Sequence, residues 1–395
     1  MSVVFQEGVL SDIARVTMGQ SPKKEFVSST QEGLPLLNGP TEFGSSHPTP
    51  VQWSTSFSKT AEPGDILFCV RGSTTGRMNW ADQQYAIGRG IASISAINPQ
   101  ERHFVRAAID LVLPELLAAA TGSTFPNVSR LQLSELPVAL PSAAVRTEIS
   151  GLLGALDDKI DLHDRQRGLC RKLGLAYMSR LTRDAVKVPL KYYAKSISRG
   201  VTPKYYKDED TTPILVFNQR CVRDGWVSLD SARLMLPRVR EKKAAIAEFD
   251  DLLVNSTGQG TLGRVARWSH QEPVYADSHL TIVKADPQRI YPILLPYLVF
   301  PLQSAIEQMA EGSTGQTELS PSNLGSLKVP LIRFEEQNTV AAQLLALEEM
   351  AHHCSIETRI LTELRDTLLP ELMSGRMRVD EAGQLVSEAL DKEVR

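Results

Sequence analysis

The sequence predicts an α+β protein in which one module occurs twice: a β-rich mixed domain followed by a long helix. Three observations predict it. Matching features recur in the same order through residues 10–181 and 190–372, displaced by 180 residues at the start and by 191 at the end. Short β-type runs bounded by Gly, Pro, Asn and Ser fill the first part of each copy. Apolar residues spaced alternately by three and four over about four heptads close each copy.

The repeat rests on short anchors. Leu10-Ser-Asp-Ile-Ala14 returns as Leu190-Lys-Tyr-Tyr-Ala194, Ser21-Pro-Lys23 as Thr202-Pro-Lys204, and Leu37-Asn38 as Phe217-Asn218. Gly64-Asp-Ile-Leu67 returns as Asp250-Asp-Leu-Leu253, Gly122-Ser-Thr124 as Gly312-Ser-Thr314, and Ala155-Leu-Asp-Asp158 as Ala346-Leu-Glu-Glu349. A period this long is a duplicated domain and not a solenoid. The boundaries read as 1–142 for the first mixed domain, 143–185 for its helix, 186–332 for the second domain and 333–375 for its helix. Residues 376–395 form a polar C-terminal tail.

Within the first domain, Pro35-Leu-Leu-Asn38, Asp65-Ile-Leu-Phe-Cys-Val70 and Ile91-Ala-Ser-Ile-Ser-Ala-Ile97 read as strands. Pro213-Ile-Leu-Val-Phe217, Asp251-Leu-Leu-Val254 and His279-Leu-Thr-Ile-Val283 are their counterparts. An apolar, helix-like run follows at 104–120 and again at 290–310. Pro114 in the first, and Pro296 and Pro301 in the second, predict kinks or breaks. Extended segments at 136–141 and 327–331 then lead into the long helices.

Each long helix of about 40 residues spans about 60 Å. The first seam runs Leu153, Leu156, Ile160, His163, Arg167, Cys170, Gly174, Tyr177, Leu181. The second runs Leu344, Leu347, Ala351, Cys354, Thr358, Leu361, Arg365, Leu368, Leu372. Polar or small residues interrupt the middle of both. Gly151, Gly154, Gly168 and Gly174 each cost about 1 kcal/mol relative to Ala, which predicts a closely packed neighbouring backbone. Pro370 predicts a break or kink near the end of the second helix, and Gly375 its stop.

Composition narrows the class. With 42% hydrophobic and 23% charged residues the chain has the balance of a soluble globular protein. The longest apolar run, at 291–302, is too short to span a bilayer and holds three prolines. Four scattered cysteines without a C-x-x-C pair predict a reduced, cytoplasmic setting. Seven scattered histidines show no metal-ligand spacing. The net charge of −3 hides an asymmetry. Residues 1–333 carry 37 basic against 33 acidic side chains, and residues 334–395 carry 6 against 13. The two domains thus permit contact with DNA without demanding it.

Catalytic signatures are missing from the sequence. It has neither a G-x-S-x-G elbow nor a G-x-x-x-x-G-K-[ST] loop, and Asn98-Pro99 is followed by Gln100 where an adenine methyltransferase needs Pro and an aromatic. Gly258-Gln-Gly-Thr-Leu-Gly263 has dinucleotide-loop spacing after a strand. Extended segments follow where a helix is needed, and Asp277 comes too early to bind a ribose. It reads as a glycine-rich turn. Asp277 and His279 share a face of a strand, and a structural histidine is favoured over a general base.

Loops rich in basic, amide and hydroxyl groups remain, at matching places in the two copies. The first offers Lys23, Lys24, Asn38, Arg71, Ser73, Thr74, Thr75, Arg77 and Arg89. The second offers Arg199, Lys204, Tyr205, Asn218, Arg220, Asn255, Ser256, Thr257, Gln259 and Arg264. DNA reading needs this mixture: Arg and Lys for phosphates or guanine, Asn and Gln for adenine, hydroxyls to fix register. Unlike loop tips on a shared scaffold would read unlike half-sites. A scaffold or adhesin-like protein, with duplicated domains for protein or polysaccharide and oligomerising helices, is the alternative.

The chain resembles the specificity subunit of type I restriction–modification systems. The likeness is carried by Leu10-Ser-Asp-Ile-Ala14, Gly64-Asp-Ile-Leu-Phe68, Ala86-Ile-Gly-Arg-Gly90, Gly122-Ser-Thr-Phe125 and residues 133–141. The second-copy matches and residues 361–375 add to it. The resemblance implies two target-recognition domains alternating with two spacer helices that pair antiparallel as a coiled coil about a pseudo-two-fold axis. It implies a non-catalytic chain that binds double-stranded DNA at a bipartite target, with the gap set by the spacer helices. Two modification subunits would supply S-adenosylmethionine-dependent adenine methylation, and restriction subunits ATP- and Mg-dependent translocation and cleavage. No cofactor is expected on this chain. A sister system serving a fused methylase–nuclease carries the same features.

Overall fold

Alternation sets the edge strand of the first central sheet. In Ala14–Met18, Ala14 and Val16 are buried and Arg15 faces solvent, the period-two pattern of a half-buried strand. Its neighbour Ile66–Cys69 is a continuous apolar run and is buried throughout, while Ile91–Ala96 is buried over its first four residues, Ser93 included. The sheet order is Ala14–Met18, Ile91–Ala96, Ile66–Cys69, Met78–Trp80, all antiparallel. The computed structural model describes residues 5–119, 127–206, 212–237, 242–310 and 317–393. The anchors Gly122-Ser-Thr124 and Gly312-Ser-Thr314, and Phe125 with them, lie outside the described residues.

The second copy repeats this order: Ala194–Arg199, Leu280–Ala285, Leu252–Asn255, Val265–Arg267. Each copy also has one parallel strand pairing in a second sheet, Leu37 with Ile87 and Phe217 with Ala276. Each closes with a two-stranded ribbon, Gln6–Val9 on Pro137–Leu140 and Lys187–Pro189 on Lys328–Pro330. Duplication thus extends to strand order and register.

The chain divides into two compact units, residues 1–165 with 355–395 and residues 166–354. Each holds one mixed domain and parts of both long helices. In the first unit the sheet packs on helix Arg102–Ala119, with Ile149, Leu153, Leu368 and Leu372 from the long helices in the same core. In the second, Leu252, Val254 and Val283 pack on Leu294, Leu298, Met178 and Leu344.

The first long helix is Ala143–Leu181 and the second Phe334–Met373. Within the first unit Arg365 pairs with Asp157 and Glu357 with Lys159, so the helices run antiparallel. Within the second unit Cys354 meets Gln166 and Glu348 meets Arg171, again antiparallel. Leu153, Leu156, Leu344, Leu361, Leu368 and Leu372 are buried, while Ile160, Tyr177, Leu181 and Leu347 are half-buried. Beside the weaker positions Met178 and Glu348 take the interior.

The proline and glycine expectations divide. Pro114 and Pro370 lie inside continuous helices. Pro114 is exposed, and the helix continues past it without the hydrogen bond that its ring nitrogen cannot donate. The counterpart segment does break, into Leu294–Val299, a 3-10 turn Phe300–Leu302 containing Pro301, and Gln303–Gln308. Gly375 has φ 71° at the end of the second long helix, where a Cβ would meet Phe5. No backbone packs on the other helix glycines. Gly154 and Gly174 admit the rings of His103 and Tyr297, and Gly151 and Gly168 face open space. Residues 376–395 contain a helix, Val379–Glu393, whose Ala382 and Val386 pack on the first core. Among the described residues no helix is long and apolar enough to cross a membrane.

Candidate nucleic-acid interface

Sheet register collects the predicted loops. Because Cys69 pairs with Ile91 and Met18 with Ala92, the chain following Met18, the chain following Cys69 and the chain preceding Ile91 meet at one end of the first sheet. Lys23, Lys24, Arg71, Ser73, Thr74 and Arg89 lie on those connections and are exposed. Lys23 has Glu25 as a loose partner at 3.8 Å. Asn38, exposed at the end of strand Leu34–Leu37, joins them through hydrogen bonds of 3.4 Å to Ser21 and Gln52. Asn38, Arg71 and Arg89 surround one hollow of about 430 Å³ with Ser21.

The remaining two first-domain residues serve the loop itself. Thr75 is buried and donates to the Gly72 carbonyl at 2.8 Å, closing the turn. Arg77 donates to the carbonyls of Phe43 at 2.7 Å and Pro40 at 3.2 Å, which pins the 3-10 turn Pro40–Glu42.

In the second domain the same strand ends converge, since Arg199 pairs with Thr281 and Asn255 with Leu280. Here more of the polar groups turn inward. Asn255 is fully buried and donates to Gln219 and Thr261 carbonyls at 3.0 and 3.1 Å. Ser256 is bonded to Thr281, and Thr257 to His279, each at 2.5 Å. Asn218 donates to Ser231 at 2.8 Å and caps the turn Gln219–Cys221 by accepting from Arg220 N–H. Arg199 is held by Glu318 at 2.7 Å and the Leu319 carbonyl at 2.6 Å. Arg264 donates to Gly260 at 3.0 Å. Lys204, Tyr205, Arg220 and Gln259 are exposed, with Arg233 over the Tyr205 ring at 5.0 Å.

Gly258, Gly260 and Gly263 all have positive φ and lead into strand Val265–Arg267, so this segment is a turn and opens no helix. Asp277 accepts from the backbone N–H of His279 at 2.9 Å, and burial pushes its carboxyl up. His279 spends its ring on Thr257.

A larger cleft, about 680 Å³, opens in the first unit beside Trp80, His103, Asp157 and Arg365. Its charges are largely matched internally. Asp157 takes His103 at 3.3 Å and Arg365 at 3.0 Å, and Asp110 takes Arg106 at 3.1 Å. It contains none of the loop residues above, so the smaller hollow is the candidate site. Sequence reading missed Ser21 as a member of that hollow, although it begins the repeat anchor Ser21-Pro-Lys23.

Two copies of one mixed domain, each gathering cationic, amide and hydroxyl groups at one end of its sheet, make this chain a duplicated module. Residues 3–168 match the family described as the type I restriction modification DNA specificity domain. A protein of Methanocaldococcus jannaschii described as the type I restriction enzyme MjaX specificity subunit is 28% identical over 175 residues, 44% of this chain and 41% of that relative. The chain therefore matches less than half the length of that relative. The S subunit of a type I restriction–modification system from M. genitalium, known from its crystal structure, shares the fold. Its TM-score is 0.59 at 18% identity, over 94% of this chain and 96% of that one.

Proposed function

We propose that the whole chain is the specificity subunit of a type I restriction–modification system. Each domain reads one short half-site of double-stranded DNA, and the spacer helices set the unread interval, one duplex turn being about 34–36 Å. The chain itself makes and breaks no bonds. It directs two modification subunits, which bring S-adenosylmethionine and methylate adenine, and restriction subunits, which bring ATP and Mg. The setting is the cytoplasm.

One observation carries this reading. The strand order of the family-matched domain, with its parallel pair and closing ribbon, recurs in residues 187–330, beyond the matched segment. A domain of the same build with differently tipped loops supports a second half-site of different sequence. Leu169 and Leu173, four residues apart on the first long helix, are 62 and 44% exposed, which supports docking of a modification subunit there.

Selection from a randomised duplex library with the full chain and its co-purified subunits tests the proposal. Enrichment of two short fixed segments at a constant separation is expected. One continuous segment, or no enrichment, contradicts it.

A further inference from the structure

We infer that the first domain seats one DNA backbone phosphate between Arg71 and Arg89, and that the second domain has no seat at the equivalent place. The inference rests on the DNA-recognition reading above and assigns a chemistry to one part of that surface.

Arg71 and Arg89 are exposed, line the same hollow, and form no ion pair among the described residues. Two like charges facing one small volume repel, and an anion between them removes the repulsion. A guanine edge is satisfied by one guanidinium and leaves the other uncompensated, whereas a phosphate accepts from both. The frame is fixed before any ligand arrives. Val70 N–H donates to the Gly90 carbonyl at 3.0 Å, joining the two arginine-bearing segments. Arg89 N–H donates to the Ser21 hydroxyl at 3.2 Å, which donates to Asn38 at 3.4 Å. Gly90 lies so close that a Cβ there would come 2.3 Å from the Asn38 carbonyl.

The second domain has the same frame with other contents. Gly19 and Gly200 donate to Ile91 and Leu280, and Leu37 and Phe217 pair with Ile87 and Ala276, so positions correspond one to one. Thr257 stands in the place of Arg71, Ser278 of Arg89, Thr202 of Ser21 and Asn218 of Asn38. Asn218 is turned inward onto Ser231, and Thr257 is bonded to His279. None of these four positions carries a cation. The two domains therefore grip DNA by unlike means, the first with a charged seat that fixes its register on the backbone.

The test uses the full chain with its co-purified subunits and duplexes randomised across the first half-site, titrated over a salt series. Replacing both residues by glutamine (Arg71→Gln with Arg89→Gln) is expected to weaken binding about tenfold, evenly across sequences. The slope of log K against log salt should become shallower by about one. The paired lysine variant, Arg71→Lys with Arg89→Lys, should keep the slope. Loss confined to duplexes with one particular base pair, at unchanged slope, overturns the phosphate seat, as does unchanged affinity. Unsubstituted protein without salt-dependent duplex binding removes the DNA reading itself and this assignment with it. Binding that persists but ignores both arginines removes the seat alone.

Discussion

Arg267 places Nη1 2.8 Å from Oε2 of Glu348, with 4% of either side chain exposed. The pair ties strand Val265–Arg267 of the second domain to the second long helix. Tyr297 donates to the other carboxylate oxygen at 2.5 Å, and Arg171 of the first long helix lies 3.6 Å from it. Burial, then the Glu348 charge, raises the Tyr297 phenol above its ordinary range, so it remains a donor. Removing the carboxylate takes a charge partner from two buried cations, leaving Arg267 with Asp250 and Arg171 with the Gly225 carbonyl and the Trp226 and Phe300 rings. Glu348→Ala is expected to cost about 3–5 kcal/mol. Asp157 occupies the same place in the first copy with 26% of its side chain exposed, and Asp157→Ala is expected to cost about 1–2 kcal/mol. Denaturant titration of the full chain measures both, and equal losses would contradict the difference in burial.

Asp157 also gives the first unit a pH dependence. Burial alone would raise its carboxyl; the hydrogen bonds from His103 and Arg365 outweigh burial and hold it below the usual range. The unfolded value is about 3.9. With the folded value lower still, the stabilisation is complete above the unfolded value and is lost as pH falls through the folded one. Melting wild type and Asp157→Asn side by side at descending pH should show the gap between them closing on acidification. A gap that stays constant argues against the lowered carboxyl.

Two glycines of the same helix should respond oppositely to alanine. A Cβ at Gly174 would come 2.5 Å from the Tyr297 ring and 2.9 Å from Leu344, both buried. Gly174→Ala must displace the ring that holds Glu348, and a loss of about 1–3 kcal/mol is expected. At Gly168 a Cβ meets nothing within 4 Å, so Gly168→Ala should gain about 0.5–1 kcal/mol from helix propensity. Thermal melts of the two variants decide it by sign.

The strands and long helices were legible because their signals are local. Leu252–Val254 is an apolar run between turn residues, and the three-and-four spacing survives a buried His163. The repeat itself was legible in pairs such as Asn38 and Asn218. What those pairs do was not. Asn38 is exposed at its hollow, while Asn218, 8% exposed, is consumed by Ser231 and a turn cap. A side-chain amide carries no sequence mark of the direction in which it turns; nearby carbonyls decide that. Glu348 was hidden for a related reason. It follows the predicted seam residue Leu347, and only Arg171, Arg267 and Tyr297, distant in sequence, make its burial tolerable.

That division between inward and outward groups separates stability from recognition within a single turn of the second domain. Asn255 is buried, and its amide spans the turn from Thr261 to Gln219. Asn255→Ala leaves both carbonyls without that donor and should cost about 1–3 kcal/mol. Gln259, four residues on, is exposed at the tip, and Gln259→Ala should leave stability within about 0.5 kcal/mol of wild type. Under the DNA-recognition proposal the order reverses for binding. Gln259→Ala should alter preference at the second half-site and leave the first unchanged, because an amide at that tip is suited to an adenine edge. Melts give the first comparison and selection from a library randomised in both half-sites gives the second. A Gln259 variant whose preferences shift equally in both half-sites would assign this turn to the general grip on the duplex and not to reading its sequence.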